Sequence, residues 1–255
     1  MEVNGSVAIV TGGASGLGEA CVRMFAADGA RVVVADLASD KAKQITSEIG
    51  ANALFVKTNV ADEQNVKAAI DQAVEKFGAL HIAVNCAGIG IPAKVLGKEG
   101  PMSMADFDKV MQVNLMGTMN VIRFAAQKMA NNTPNEEGER GIIINTSSIA
   151  AWEGQIGQTS YSASKAAITG ITLPIAREFA ELGIRVMTIA PGLFDTPMLR
   201  GLPDKVKESL AKMVPFPSRL GKPSEFAILA RHIVENPMLN GTTIRLDAAL
   251  RMAGK

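Results

Sequence analysis

Cysteine is scarce in this chain of 255 residues: only Cys21 and Cys86 occur. One falls in a helical pattern and the other follows a strand pattern, so both read as small reduced core residues, with no disulfide framework. Histidine is equally rare. His81 and His232 lack the close partners that a zinc site requires, and no metal is expected. Charge of one sign is missing as well. The 26 basic and 25 acidic side chains leave a formal net charge of +1, which gives no footprint for nucleic acid and no polybasic membrane patch. No apolar run approaches the roughly 18 residues that span a bilayer. A strand pattern begins within a few residues of Met1, leaving no room for a signal or transit peptide, so a reducing, cytoplasmic setting is expected. Tyrosine occurs once, at Tyr161.

What is present is the composition of one large globular α/β domain, with 47% hydrophobic and 20% charged residues. Short β-branched runs alternate with longer amphipathic stretches, the pattern of repeated βαβ units. Val7–Val10, Arg31–Ala35, Ala53–Val56, Ile82–Val84, Ile142–Asn145, Arg185–Ile189 and Thr243–Leu246 read as seven strands. They are apolar throughout, without in/out alternation, as strands covered by helices on both faces must be. Right-handed crossovers then build a doubly wound parallel sheet, with ligands outside the carboxyl ends of its strands. Helical periodicity runs over Ala105–Met129 and over Ser160–Leu182, where Gly183 is a stop and Pro174 argues for a kink or a break near Leu173. Gly88–Pro101 and Asn131–Gly141 read as surface loops. The Pro-punctuated segment Phe194–Arg219, carrying Met198, Leu199, Leu202 and Leu210, reads equally as a lid over an apolar substrate or as ordinary packing.

Thr11-Gly12-Gly13-Ala14-Ser15-Gly16-Leu17-Gly18 follows the first strand and opens the first helix. Glycines let a phosphate approach the backbone of so tight a turn, and the helix start offers unpaired N–H groups to a pyrophosphate. A glycine turn alone is weak evidence; strand, turn and helix in this order strengthen it. Asp36 ends the second strand, where a carboxylate accepts from ribose hydroxyls and repels a 2′-phosphate. Neither Ser15 nor Leu37 supplies the cation that such a phosphate needs. The expected cofactor is NAD in preference to NADP.

Tyr161-Ser162-Ala163-Ser164-Lys165 places a phenol and an ammonium four residues apart, on one helical face. A phenol titrates near 10 and is a poor base at neutral pH. An adjacent ammonium favours the phenolate, which suits acid/base work. Ser148, just past the strand Ile142–Asn145, is placed to bond a reacting oxygen. Asn114, on an apolar helical face, reads by itself as a core amide with satisfied bonds.

The Gly12/Gly16/Gly18 turn, Asn85-Cys86-Ala87-Gly88, Asn114, Ser148, Tyr161-x-x-x-Lys165 and Pro191-Gly192 occur in an order that resembles the short-chain dehydrogenase/reductase family along the whole chain. The resemblance implies a single Rossmann-type doubly wound domain over residues 1–255, with a seven-stranded parallel sheet and helices on both faces. The dinucleotide-binding half would be about 1–150 and the catalytic and substrate half about 151–255, with a lid about 194–219. It implies a tetrad: Tyr161 as acid/base, Lys165 on the nicotinamide ribose and lowering the phenol's pKa, Ser148 on the substrate oxygen, Asn114 holding a relay water. Ser15, Leu17, Asp36, Asn59, Val60, Cys86, Ala87, Gly88, Pro191, Gly192, Phe194 and Thr196 would line the cofactor, and Gln155 would meet the substrate.

Within the family, Val113-Asn114-Leu115-Met116-Gly117, Thr172-Leu173-Pro174-Ile175-Ala176-Arg177 and Pro215-Phe216-Pro217-Ser218-Arg219 look like the type II 3-hydroxyacyl-CoA dehydrogenase branch. That implies oxidation of a 3-hydroxyacyl-CoA or a hydroxysteroid by NAD, in a homotetramer. Two residues depart from the pattern. Asn59 replaces a usual aspartate, its side-chain carbonyl still able to accept from the adenine amine, and Ala248 stands where glycine is usual. The alternatives are a 3-oxoacyl-carrier-protein reductase, which would want a cation near the ribose, and a non-catalytic dinucleotide-binding scaffold, which would have lost part of the tetrad.

Overall fold

The computed structural model describes residues 1–200 and 204–254. Seven parallel strands, β1 (Val7–Thr11), β2 (Arg31–Asp36), β3 (Ala53–Lys57), β4 (Ile82–Asn85), β7 (Gly141–Thr146), β8 (Ile184–Pro191) and β9 (Thr243–Leu246), form one sheet in the order β3-β2-β1-β4-β7-β8-β9. Every strand expected from the sequence is present, most of them extended by a residue or two. The chain starts in the middle, winds outward through β3, then crosses back past β1 to β4, so the switch point lies between β1 and β4.

Alternate residues of the strands feed two separate cores. Ala8, Val10, Val32, Val34, Ile142 and Ile144 face α1 (Gly16–Ala27) and α9 (Pro223–Glu235). Val7, Ile9, Val33, Ile143 and Val186 face α3 (Glu63–Phe77), α5 (Gly117–Met129) and α6 (Thr159–Glu178). A polar residue at either parity would be buried without a partner, which explains the unbroken apolar runs. The remaining helices are α2 (Ser39–Ile49), α4 (Met104–Met111), α7 (Pro197–Arg200) and α8 (Asp204–Lys212). Among the described residues, no helix is long and apolar enough to cross a membrane.

Sequence signals fix several ends. Asp62 caps α3 by accepting from the N–H groups of Gln64 and Asn65, at 2.9 and 3.1 Å; Gly78, with φ 87°, ends it. Ser103 caps α4 through the Asp106 N–H. α6 runs through Pro174 without a break. Proline removes the bond to the carbonyl four residues earlier, that of Gly170, and the helix continues four residues beyond it to Glu178.

Three expectations change. The stretch Ala105–Met129 is not one regular helix, because a five-residue π-turn, Gln112–Met116, separates α4 from α5. The loop Gly88–Pro101 holds a small antiparallel hairpin, β5 (Leu96–Gly97) with β6 (Gly100–Pro101). The segment Phe194–Arg219, for which the sequence reading gives no helix, carries helices α7 and α8; Leu202 lies outside the described residues. Pro197 is the first residue of α7, where its missing N–H costs nothing.

The Asp247–Ala249 turn after β9 is left-handed, with φ 51° at Ala248 and 63° at Ala249. A Cβ is disfavoured there, which accounts for the usual glycine. Ala248→Gly is expected to raise stability by about 0.5–1 kcal/mol, the left-handed cost less glycine's extra chain entropy. Urea denaturation measures this, and a loss would show that the Ala248 methyl's packing matters more.

Candidate active site

The predicted site residues follow the carboxyl ends of β1, β2, β3, β4, β7 and β8 or project from the π-turn Gln112–Met116 and from α6. The phosphate turn is closed tightly on its neighbours. Gly12 has φ +64°, and a Cβ there would lie 2.8 Å from Ala87 N; one on Gly18 would lie 2.2 Å from Gly12 O. Gly16, with φ +53°, begins α1 and meets Thr196 and Pro197 from the start of the 194–219 segment. Ser15 stands at the N-cap and makes no side-chain cap bond, so the first-turn N–H groups, Leu17 among them, face the crevice without a capping oxygen. This cradle fits a pyrophosphate.

Asp36, the last residue of β2, braces the turn. One carboxylate oxygen accepts from Ala14 N at 2.9 Å and the other from Ala38 N at 2.8 Å. A carboxylate has lone pairs left for ribose hydroxyls. Asn59 Oδ1 accepts from Ala61 N at 3.1 Å, a local turn bond at the position assigned to adenine. Val60 is buried against Gly117. Cys86 follows β4, and its thiol accepts from Thr146 Oγ1 at 3.6 Å. Cys86 beside it, together with burial, pushes the Cys21 thiol above its ordinary range. Pro191 ends β8, and Gly192 donates to Leu246 O while packing on Asp247. Phe194 contributes its ring to the core beneath, packed on Gly221.

The tetrad residues come together from three elements. Ser148 lies past the end of β7 and caps the short 3-10 turn Ile149–Ala151. Its Oγ accepts from Ala150 N at 3.1 Å, which leaves the hydroxyl hydrogen free to donate to the Tyr161 oxygen. Tyr161 and Lys165 project from the first turns of α6. The Lys165 ammonium donates to Thr146 O at 2.8 Å and stands 5.7 Å from the centre of the Tyr161 ring. Burial pushes its pKa down to about 8.

The phenol behaves differently from the sequence expectation. Burial holds Tyr161 above its ordinary value, and only the Ser148 bond pulls it down. A buried phenol loses more by leaving water than it gains from an ammonium engaged elsewhere. Lowering it needs further positive charge, of the kind an oxidised nicotinamide brings when bound.

Asn114 sits fully buried in the π-turn. Its Oδ1 accepts from Ile89 N at 2.8 Å, and its Nδ2 donates to Ile89 O at 2.9 Å and Ser164 Oγ at 3.0 Å. Its own carbonyl accepts from Thr118 Oγ1 at 2.7 Å. The side chain is thus committed to pinning the Gly88–Ile89 backbone to α6, the core-amide role, and leaves its amide little capacity for a relay water. Gln155 donates to Ala253 O at 3.2 Å, tying the rim of the site to the residues after β9. Sequence reasoning missed Thr146, which holds the ammonium, and Ser164, which joins Asn114 to the Tyr161 carbonyl. Ser164 stood in the pentapeptide only as a spacer. Among the described residues, no cluster of His, Cys, Asp and Glu offers a metal site.

Comparison with known proteins agrees with this geometry. Residues 6–207 match the family model for short chain dehydrogenases. The 3-hydroxyacyl-CoA dehydrogenase type-2 of Drosophila melanogaster is 52% identical over 252 residues, covering 98% of this chain and 99% of that one. The crystal structure of 3-hydroxyacyl-CoA dehydrogenase type-2 from Mycobacterium avium superposes with a TM-score of 0.95 at 45% identity, over 98% of both chains. A 3-ketoacyl-(acyl-carrier-protein) reductase from Brucella melitensis, solved with NADH, gives a TM-score of 0.88 at 30% identity, covering 98% of this chain and 100% of that one. The chain belongs to the short-chain dehydrogenase family of oxidoreductases, which work with a nicotinamide dinucleotide.

Proposed function

We propose that the protein oxidises 3-hydroxyacyl-CoA thioesters to 3-ketoacyl-CoA, with NAD as acceptor. The observation that carries the reaction type is the buried Lys165 ammonium held by Thr146 O at 2.8 Å and 5.7 Å from the Tyr161 ring centre, with Ser148 acting on the same phenol. The substrate class rests on the full-length similarity to enzymes named for it. In this reading Ser148 donates to the substrate oxygen and fixes the carbinol carbon. Tyr161 takes the hydroxyl proton. Lys165 and Asp36 bind the nicotinamide-side and adenosine-side riboses, and the first turn of α1 takes the pyrophosphate. When bound, the dinucleotide supplies the hydride acceptor. The same reading makes the working form a cytoplasmic homotetramer.

The preference for NAD rests on Asp36. Its register partner across the sheet is Lys57, the nearest cation by strand position. Asp36→Ala removes the repulsion and leaves that lysine in place, so the NADP/NAD ratio of kcat/KM is expected to rise roughly 10–100-fold. An unchanged ratio would take cofactor choice away from Asp36. NADH formation across 3-hydroxyacyl-CoAs, hydroxysteroids and short secondary alcohols tests the substrate class; a strong preference for NADPH and carrier-bound ketones would favour the reductase.

A further inference from the structure

Glu153 lies just beyond the 3-10 turn that Ser148 caps, and three donors from the far end of the chain converge on its carboxylate. Oε1 accepts from Arg245 Nη1 at 2.8 Å and stands 3.4 Å from Arg251 Nε. Oε2 accepts from Met252 N at 3.0 Å. Arg245 comes from β9, lies 5.4 Å from the Trp152 ring centre and pairs with Asp247 at 2.7 Å. The Glu153 side chain is only 18% exposed, so these are charge-assisted bonds partly shielded from water. They fold residues 250–254 back over the catalytic turn. Leu250 is buried between Ile149, next to Ser148, and Val214, at the end of the 194–219 segment. The following carbonyls then reach the rim: Gly254 O accepts from Ile156 N at 3.1 Å, and Ala253 O from Gln155.

One carboxylate therefore ties together the serine's turn, the rim at Gln155–Ile156 and the segment that packs on Val214. We propose that Glu153 is a positioning residue for the substrate, fixing residues 250–254 as one wall of the entrance to Ser148 and Tyr161. The glycine turn lies on the other side of the sheet's switch point and, among the described residues, makes no bond to this cluster, whose one packing link toward the cofactor side is Asp247 against Gly192. The clamp accordingly acts on substrate binding and spares the dinucleotide.

The inference rests on the proposed activity only for the choice of substrate. Glu153→Gln keeps the size and an acceptor for Met252 but removes the charge that holds both arginines. KM for 3-hydroxybutyryl-CoA is expected to rise about tenfold, with kcat and KM for NAD within about twofold, the pattern of lost uniform binding. The emission of Trp152, the only tryptophan, shifts as Arg245 leaves its ring, and Glu153→Asp recovers part of the lost affinity. An unchanged KM alongside shifted emission overturns the proposal, because the wall has then been released without consequence. An equal loss of NAD and substrate binding with a fall in Tm also overturns it, by reducing Glu153 to a structural tie. Should Glu153→Gln fail to fold, Arg251→Ala removes an arm that is 61% exposed, and must raise KM in the same direction for the proposal to stand. Inactivity of the parent protein on the thioester would count against the proposed activity instead, and the clamp is then read from the same ratios on whichever secondary alcohol the parent oxidises.

Discussion

Replacing Tyr161 with phenylalanine is expected to cut alcohol oxidation by roughly 10²–10⁴-fold, the range contributed by positioned acid/base groups, with dinucleotide affinity held within about twofold. The substitution deletes one oxygen and nothing that packs. Lys165 keeps its bond to Thr146 and Ser148 keeps its bond from Ala150. Because burial holds the phenol high, the parent's oxidation rate rises with pH as the phenolate forms, and the variant's residual rate loses that rise. Steady-state rates with calorimetric NAD binding measure both effects. A variant retaining more than about a tenth of the activity would remove Tyr161 from proton transfer.

The second large effect concerns stability. Arg185 enters from β8 and is buried, with its side chain 8% exposed. Its guanidinium donates to Glu139 at 2.7 Å and to the carbonyls of Ile233, Val234, Asn236 and Leu239 at 2.7 to 3.1 Å. One side chain thereby satisfies the carbonyl end of α9 and complements its negative pole. Arg185→Met takes the donor from the Ile233, Val234 and Leu239 carbonyls, while Asn236 O keeps its bond from Leu239 N, and leaves Glu139 with only the Met1 amino group. A loss of about 3–5 kcal/mol is expected, the cost of breaking a buried pair. At roughly 2–4 °C per kcal/mol for a chain of this size, Tm falls by about 6–20 °C. Adding Glu139→Gln to Arg185→Met should not recover the loss, because the Met1 amino group, 8% exposed, then loses its carboxylate partner. A fall of under about 1 kcal/mol would mean that water reaches these carbonyls.

The sheet was legible because parallel strands buried on both faces need apolar residues at every position, and Ile142–Ile144 or Val32–Val34 have no other sensible place. The glycine turn and the Tyr161–Lys165 spacing were legible because local chemistry demands those residues. Three features were not. The π-turn at Gln112–Met116 leaves hydrophobic periodicity nearly intact, so a polar Asn114 on that face gives no sign of the extra residue. Pro197 reads as a breaker but starts a helix, because its effect depends on its position in the first turn. The buried hydrogen bonds of Thr146, Ser164 and Arg185 join residues far apart in sequence, and no local pattern encodes them. The phenol's raised pKa belongs to the same class: spacing shows that an ammonium is near, and only tertiary structure shows that it is occupied by Thr146.

The scarcity of tyrosine has a practical consequence. With a single phenol in the chain, every ultraviolet signal from phenol ionisation belongs to the oxygen of Tyr161. A difference spectrum recorded during a simple alkaline titration therefore reports the ionisation of Tyr161 directly, with no label and no mutation. The enzyme carries its own indicator.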